Sequence, residues 1–165
     1  MDEQNLVVEF RPMRLTDLDQ VQEVERNSFP HPWSYSAFVS ELVNNDNARY
    51  IVATVEGRVV GYIGVWIILD EGHITNVAVH PLYRKRGIAQ QLFKEITDVV
   101  KGCGVTKLTL EVRISNFQAQ QLYYKLGFSR AGIRPGYYQD NEDAVIMWKD
   151  LREEKEENDR SCLGY

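Results

Sequence analysis

The sequence predicts an α/β protein of the α+β kind, with a mixed, mostly antiparallel sheet of about six to seven strands flanked by about four helices. Three observations predict it. Two helical patterns follow the first strand, three β-rich runs then succeed one another across tight turns, and helix and strand patterns alternate in the second half. This order is typical of a layered fold around one mixed sheet.

The first part of the chain combines a strand with two helices. Residues 7–13 favour a strand, and Thr16, which acidic residues follow, has the character of a helix N-cap. We expect the first helix to end before Pro30 and Pro32, because proline breaks the backbone ladder of a helix. Ser34 then predicts the N-cap of a second helix.

An antiparallel meander is expected next. Its β-rich runs are separated by short segments that contain glycine and charged residues, which are typical of turns. The expected strands are residues 50–55, 59–69 and 73–79, and the expected turns are residues 56–58 and 70–72.

The second half alternates helix and strand and closes with two strands. Apolar residues at helical spacing begin after Gly87, whereas Leu108, Leu110 and Val112 alternate along one side of a strand. The expected elements are helices at 87–101 and 116–126, and strands at 107–113, 128–138 and 144–149. We expect one domain over residues 1–150 and a charged, flexible tail at 151–165.

Composition and charge disfavour several classes of protein. A formal net charge of −5 is unusual for a nucleic-acid binder. Cys103 and Cys162 form no CxxC pair and lie near no histidine cluster, so we expect reduced thiols and no metal site. The first residues show no basic start followed by an apolar run, so we expect no signal peptide, and the longest apolar stretch, 59–69, is too short to span a bilayer. We therefore expect a cytoplasmic protein whose partners include neither a membrane nor a nucleic acid.

A strand end, a basic loop and a helix start follow one another at residues 79–90. The first turn of a helix leaves backbone N–H groups unpaired, and together with the helix dipole they suit a pyrophosphate. Gly87 and Ala89 keep the approach to that backbone open, and the basic residues 84–86 add charge around it. These residues alone favour an anion site and a basic helix start, with a glycine for packing, about equally.

The turn resembles the signature of the GNAT superfamily of N-acetyltransferases, Arg/Gln-x-x-Gly-x-Gly/Ala, which Arg84, Gly87 and Ala89 match. The order of elements is also similar over roughly residues 7–150. A closer resemblance is to the RimI family of ribosomal-protein-alanine N-acetyltransferases. The segments that carry it are 29–34, 76–79, 110–116, 122–128 and 137–144.

The resemblance implies acetyl-CoA as the cofactor and assigns its binding residues. In such proteins a strand backbone pairs with the pantetheine arm, the turn and helix start bind the phosphates, and an asparagine contacts the cofactor. The implied residues are Val77, Ala78 and Val79 for the strand, Arg84, Lys85, Arg86, Gly87, Ile88, Ala89 and Gln90 for the turn, and Asn116.

Two residues are candidates for the proton transfers of acetyl transfer. Glu111 lies on the strand face opposite Leu110, and it is either a general base or a surface carboxylate paired with a cation. Tyr123 shares a helix face with Asn116, and it is either an acid for the departing thiolate or a core aromatic residue. The resemblance to the RimI family implies the base for Glu111 and the acid for Tyr123.

Four aromatic residues flank the expected cleft: Phe29, Trp33, Tyr137 and Tyr138. They favour two interpretations equally, the walls of a groove for a substrate peptide or the anchors of loops on the core.

The resemblance implies an N-α-acetyltransferase that acts by direct attack in a ternary complex. Its implied partner is the N-terminal peptide of a protein, namely the alanine of a small-subunit ribosomal protein. The alternatives are acetylation of a lysine or a small amine, and a non-catalytic acyl-CoA-binding sensor. We expect a monomer or a weak dimer.

Overall fold

The structure, a computed structural model, describes residues 5–152. The strands are β1 (Val8–Pro12), β2 (Ala48–Val55), β3 (Arg58–Ile68), β4 (Glu71–Val79), β5 (Lys107–Arg113), β6 (Ser129–Arg134) and β7 (Ala144–Asp150). The helices are α1 (Leu18–Ser28), α2 (Tyr35–Asn44), α3 (Ile88–Gly102) and α4 (Phe117–Lys125). All seven strands form one sheet in the order β1-β2-β3-β4-β5-β7-β6. Only the pair β4–β5 is parallel, so the predicted mixed, mostly antiparallel architecture is confirmed.

Each face of the sheet is covered by two helices. On one face, α3 and α4 cover the larger apolar layer, in which Leu92 packs with Leu108. On the other face, α1 and α2 cover a smaller layer, in which Leu18 and Phe38 pack with Tyr62 of β3. Because α3 crosses one face of the sheet between β4 and β5, these two strands run in the same direction.

The parallel strands β4 and β5 stay together only at their starts. Residues 71–73 pair with residues 107–109. Between residues 74–79 of β4 and residues 110–113 of β5 there is no pairing. Each strand keeps its ladder with its other neighbour. The sheet therefore opens between these segments into a gap that we call the β4–β5 notch.

A bulge interrupts β4 at Thr75. Gly64 of β3 lies opposite Asn76, but the next residue, Val65, lies opposite Ile74, so Thr75 is left without a partner in the register. The extra residue turns two successive side chains to the same face of the sheet. On that face the Oγ1 of Thr75 donates a hydrogen bond to the Oδ1 of Asn76 at 2.9 Å.

The expected helix cap at Thr16 is wrong. A 3-10 turn, Leu15–Asp17, precedes α1, and the carboxylate of Asp17 accepts a hydrogen bond from the backbone N–H of Arg14 at 2.8 Å. The guanidinium of Arg11 donates two further hydrogen bonds of 2.7 Å to that carboxylate. The partner that holds Asp17 lies on β1, so the local helix pattern could not identify it. In contrast, the cap at Ser34 is confirmed.

The turn between β3 and β4 and the loop after β6 have other bounds than the sequence predicts. β4 already begins at Glu71, which pairs with Ile68, so the hairpin turn is tighter than residues 70–72. β6 ends at Arg134 rather than near residue 138, ahead of Gly136, whose φ of +60° suits a turn and not a strand.

The expectation of reduced thiols is wrong for Cys103, which forms a disulfide. The cysteine spacing, which argued against zinc, carries no information about disulfide pairing. Apart from Leu151 and Arg152, the expected tail at 151–165 lies outside the described residues. Leu151 is buried, and its N–H donates to the carbonyl oxygen of Thr106 at 2.8 Å. None of the helices within residues 5–152 has the length and apolarity to cross a bilayer.

Candidate active site

The β4–β5 notch presents different side chains to the two faces of the sheet. Val77 and Leu110 pack in the apolar layer beneath α3 and α4. Asn76 and Glu111 belong to the opposite face, because side chains alternate along a strand. The notch is therefore apolar toward α3 and α4 and polar toward α1 and α2.

Helix α3 begins at a glycine with a left-handed backbone. Gly87 has a φ of +77° and is the N-cap of α3, and no side chain caps the first turn. A Cβ at this position would meet no atom within 4 Å. The backbone conformation, not crowding, thus requires glycine, and the space before the helix start is open. The uncapped N–H groups and this open space fit a phosphate group.

The basic residues of this turn are not equivalent. The Nε of Arg84 donates to the carbonyl oxygen of Val79 at 2.9 Å, and its Nη2 donates to the Oγ of Ser28 at 3.2 Å. Lys85 and Arg86 are exposed, and the guanidinium of Arg86 lies 5.9 Å from the centre of the Tyr83 ring. Arg84 therefore ties the turn to the ends of β4 and α1, and Lys85 and Arg86 supply the charge that faces outward.

Three other expected cofactor residues have mainly structural contacts. Ile88 is buried in the core, so it can offer a cofactor only its backbone. Ala89 packs against the same layer. Asn116 is the N-cap of α4, and its Oδ1 accepts a hydrogen bond from the N–H of Ala119 at 3.1 Å. The sequence pattern had placed Asn116 inside the helix.

Glu111 lies at the notch with its side chain 18 % exposed. Its Oε1 is 3.3 Å from the Nε of Arg134 on β6. Glu111 is thus paired with a cation, as expected of a carboxylate without a catalytic role. It also lies at the position that the resemblance implies for the base. Arg134 was not a candidate, because no local pattern joins a residue on β6 to one on β5.

Tyr123 lies on the other face of the sheet from Glu111. Its ring packs edge-on against Phe93 at 5.6 Å and Phe128 at 6.1 Å, so it is a core aromatic residue. Burial raises the pKa of its hydroxyl to about 12. The phenol therefore stays protonated at neutral pH and keeps a proton to donate.

The segment between β6 and β7 lies beside β5 and carries Tyr137 and Tyr138, whose rings meet edge-on at 5.0 Å. The guanidinium of Arg113 lies 4.1 Å from the centre of the Tyr138 ring. Arg113 also forms ion pairs with Asp140 at 2.8 Å and Glu142 at 2.9 Å. These contacts anchor the segment to β5. Tyr137 remains half exposed.

The other aromatic pair lies between α1 and α2, on the β4 side of the notch. Phe29 follows α1 directly and is 37 % exposed. Trp33 is half-buried and packs on Phe38 with ring centres 5.5 Å apart. The two pairs of aromatic residues, one beside β4 and one beside β5, thus flank the polar face of the notch from opposite sides.

Sequence reasoning missed Glu25, a buried carboxylate behind the α1–α2 segment. It is 2 % exposed. Its Oε1 accepts a hydrogen bond from the backbone N–H of Trp33 at 2.9 Å, and its Oε2 accepts a short one from the hydroxyl of Tyr62. Burial raises the pKa of Glu25 to about 7. The signal was present, since Glu25 follows Leu18 and Val21 at the helical spacing of a core position.

Residues 18–128, two thirds of the chain, match the acetyltransferase (GNAT) family. The chain belongs to this family. As a GNAT acetyltransferase it is an enzyme that uses acetyl-CoA. Within residues 5–152, no group of three or more His, Cys, Asp or Glu side chains is arranged to hold a metal ion.

Relatives of this GNAT acetyltransferase carry more specific names. A protein of Bacillus subtilis (strain 168), provisionally named ribosomal protein bS18-alanine N-acetyltransferase, is 44 % identical over 144 residues, which cover 87 % of this chain and 95 % of that protein. The crystal structure of the ribosomal-protein-S18-alanine N-acetyltransferase from Escherichia coli has a TM-score of 0.81 at 32 % identity, over 92 % of this chain and 99 % of that chain. An N-acetyltransferase of Thermoplasma acidophilum, solved in complex with coenzyme A, shares the fold with a TM-score of 0.76 at 21 % identity, over 88 % of this chain and 99 % of that one.

Proposed function

We propose that this GNAT acetyltransferase is an N-α-acetyltransferase that acetylates a protein N-terminus, namely the N-terminal alanine of a small-subunit ribosomal protein. The observation that carries the proposal is that Glu111 lies at the notch, on the face of the sheet opposite the apolar layer in which Tyr123 and Leu110 are buried. Two substrates that approach from opposite faces can react directly within the notch. The names of the relatives support the same substrate class.

The cofactor fits the α3 side of the notch. We propose that the uncapped first turn of α3, with Gly87, Lys85 and Arg86, holds the phosphates. The backbone of residues 77–79, unpaired on the β5 side, holds the pantetheine arm in the manner of an added strand. Bound acetyl-CoA supplies the acetyl thioester. Arg84 does not bind the cofactor in this proposal. Its hydrogen bond to the carbonyl oxygen of Val79 fixes the turn relative to the end of β4.

The substrate amine reacts from the α1–α2 side. An α-amino group has a pKa of roughly 8, so about a tenth of it is already neutral at pH 7. We propose that the neutral amine attacks the thioester and that the carboxylate of Glu111 accepts the one proton that the nitrogen loses, directly or through one water molecule. Arg134, which is more exposed than Glu111, orients the carboxylate through their ion pair.

We propose that the thiolate of the cofactor leaves on the face of the sheet covered by α3 and α4, where Tyr123 lies. As the new N–C bond forms and the C–S bond breaks, the hydroxyl of Tyr123 donates a proton to the departing sulfur. A backbone N–H near Val77 donates to the acetyl oxygen, on which negative charge develops. Glu111 takes one proton from the amine and Tyr123 gives one to the sulfur, so the charges balance.

The four aromatic side chains flank the polar face of the notch, where a peptide would lie. We propose that Phe29, Trp33, Tyr137 and Tyr138 contact the first residues of the substrate. The catalytic domain in this proposal is residues 1–150. We also propose that the enzyme acts in the cytoplasm as a monomer or weak dimer; the ribosomal substrate in the names of its relatives supports this location.

A peptide panel tests the function. The protein is incubated with acetyl-CoA and three substrates: a peptide with a free N-terminal alanine and an internal lysine, the same peptide with its α-amine blocked, and a small primary amine. Mass spectrometry should locate acetylation at the α-amine of the first peptide only. Acetylation of the blocked peptide would instead show a lysine acetyltransferase, and acetyl-CoA binding without any product would show a sensor.

A further inference from the structure

Glu25 is a buried carboxyl group on the face of α1 that packs against the sheet. No cation among the described residues forms an ion pair with it, and burial is the main influence on its ionisation. An isolated buried carboxylate costs stability, and an apolar residue of similar size at such a site is often neutral or stabilising. Packing alone therefore does not account for a glutamate on the apolar face of α1.

The hydrogen bonds of Glu25 lead to two different parts of the site. One carboxylate oxygen holds the backbone of Trp33, which belongs to the aromatic wall on the β4 side. The other holds the hydroxyl of Tyr62, to which the Nδ2 of Asn76 donates at 3.3 Å. Asn76 lies in the bulge of β4, directly before Val77 in the notch.

We propose that Glu25 is a positioning residue for acetyl transfer, and that it fixes the Trp33 wall and the bulged segment of β4 at one distance from each other. The proposal rests on the function proposed above, because it concerns the place where the substrate amine binds. A carboxylate suits this task because its two oxygens accept two hydrogen bonds in different directions. Neither bond reaches the turn before α3, so the phosphate contacts of the cofactor should not change.

Glu25→Gln tests this role, since the amide keeps the shape of the side chain and only one of the two acceptors. We expect kcat/KM for an N-terminal alanine peptide to fall about tenfold, mainly through KM, because one buried hydrogen bond is left without an acceptor. The KM for acetyl-CoA should stay within about twofold of the wild-type value. Initial rates with each substrate varied separately give both constants.

The matched control is Asp17→Asn at the other end of α1. Asp17 is also a buried carboxylate that accepts several hydrogen bonds, but its partners are Arg11 and Arg14, away from the notch. This variant should melt at a lower temperature with both KM values unchanged. Glu25→Gln could behave like Asp17→Asn: a lower melting temperature, with an unchanged kcat/KM for the peptide at temperatures where the variant is folded. Glu25 would then be merely structural, and the proposal would be wrong.

A second variant covers the case in which Glu25→Gln does not fold. Tyr62→Phe removes only the hydroxyl and keeps the ring that packs against Phe38. It should raise the peptide KM several-fold, and combined with Glu25→Gln it should cost little more than the larger single effect, because both act through one chain of bonds. Fully additive losses, or an unchanged KM in Tyr62→Phe, would contradict the proposal.

The wild-type protein separates the two proposals. If it acetylates no peptide α-amine in this assay, the proposed function fails and this role fails with it. If it acetylates the peptide while neither variant changes the peptide kinetics, only the role of Glu25 is overturned.

Discussion

The two strands that border the notch contribute in different ways. The β4 side is built from backbone: an unpaired strand edge, a bulge and a helix start at a left-handed glycine. The β5 side is built from side chains, with Glu111 paired to Arg134 and Arg113 paired to the segment before β7. A cofactor common to many proteins can be held by backbone alone. A particular peptide and the chemistry performed on it need side chains, which can vary on the same frame.

The largest effect is expected from the side chains of the reaction. Glu111→Gln and Tyr123→Phe should each lower kcat about 100-fold, since general acid–base assistance contributes at least that much. The KM for acetyl-CoA should change little, because the backbone of β4 is untouched. Steady-state kinetics with the alanine peptide, alongside isothermal titration with coenzyme A, measure both.

Glu71→Gln is the control for this pair. Glu71 is also a partly exposed carboxylate on a strand of the notch, paired with Lys107 at 3.4 Å and with His73 at 3.1 Å. It lies where β4 and β5 are still joined, so kcat should stay within about twofold. Normal turnover in both Glu111→Gln and Tyr123→Phe, with coenzyme A bound as in wild type, would remove the catalytic assignment.

A smaller effect is expected from the backbone side. Gly87→Ala forces an L-residue into a left-handed conformation at a cost of about 1 kcal/mol, and it places a methyl group where the phosphates would lie. We expect the KM for acetyl-CoA to rise about tenfold, with the peptide KM unchanged.

Gly57→Ala is a close counterpart for backbone strain, as Gly57 has a φ of +79° and open space around its Cβ position. It belongs to the β2–β3 turn. This variant should lose similar stability without any change in the KM for acetyl-CoA. Equal KM values for the two glycine variants would show that the turn before α3 does not bind the cofactor.

The smallest effect on activity, and a clear one on stability, is expected from Asp17→Asn. Burial would raise the pKa of Asp17, but the hydrogen bonds from Arg11 and from the backbone N–H of Arg14 outweigh burial and hold that pKa below its ordinary value. A lowered folded-state pKa stabilises the protein above the unfolded value, about 4, and that contribution is lost as the pH falls through the folded value.

Urea denaturation should therefore show the variant less stable than wild type by about 2 kcal/mol at pH 7, with a smaller gap below pH 4. Kinetic constants at pH 7 should match those of wild type. A gap independent of pH would mean that the ionised carboxylate of Asp17 is not what stabilises the turn before α1.

The sequence predicted most of the backbone of the site and less of its side-chain contacts. The order of elements and the glycine at position 87 depend on local preferences, so the phosphate turn is recognisable in the amino-acid sequence itself. The partners Arg134 and Arg11 are not, because an ion pair between distant strands leaves no local pattern. The helical spacing marks Glu25 only as an acid at a core position of α1, because its hydrogen-bond partners Trp33 and Tyr62 leave no local pattern.

The bulge at Thr75 also limits how the length of this chain can change. A deletion of Thr75 alone would restore a regular ladder with β3 and keep Asn76 and Val77 on their present faces, because Thr75 is the residue without a partner. A second deletion in the strand would turn every later side chain of β4 to the opposite face. We therefore expect β4 to tolerate the loss of one residue at the bulge, and to tolerate further changes of length far less than substitutions.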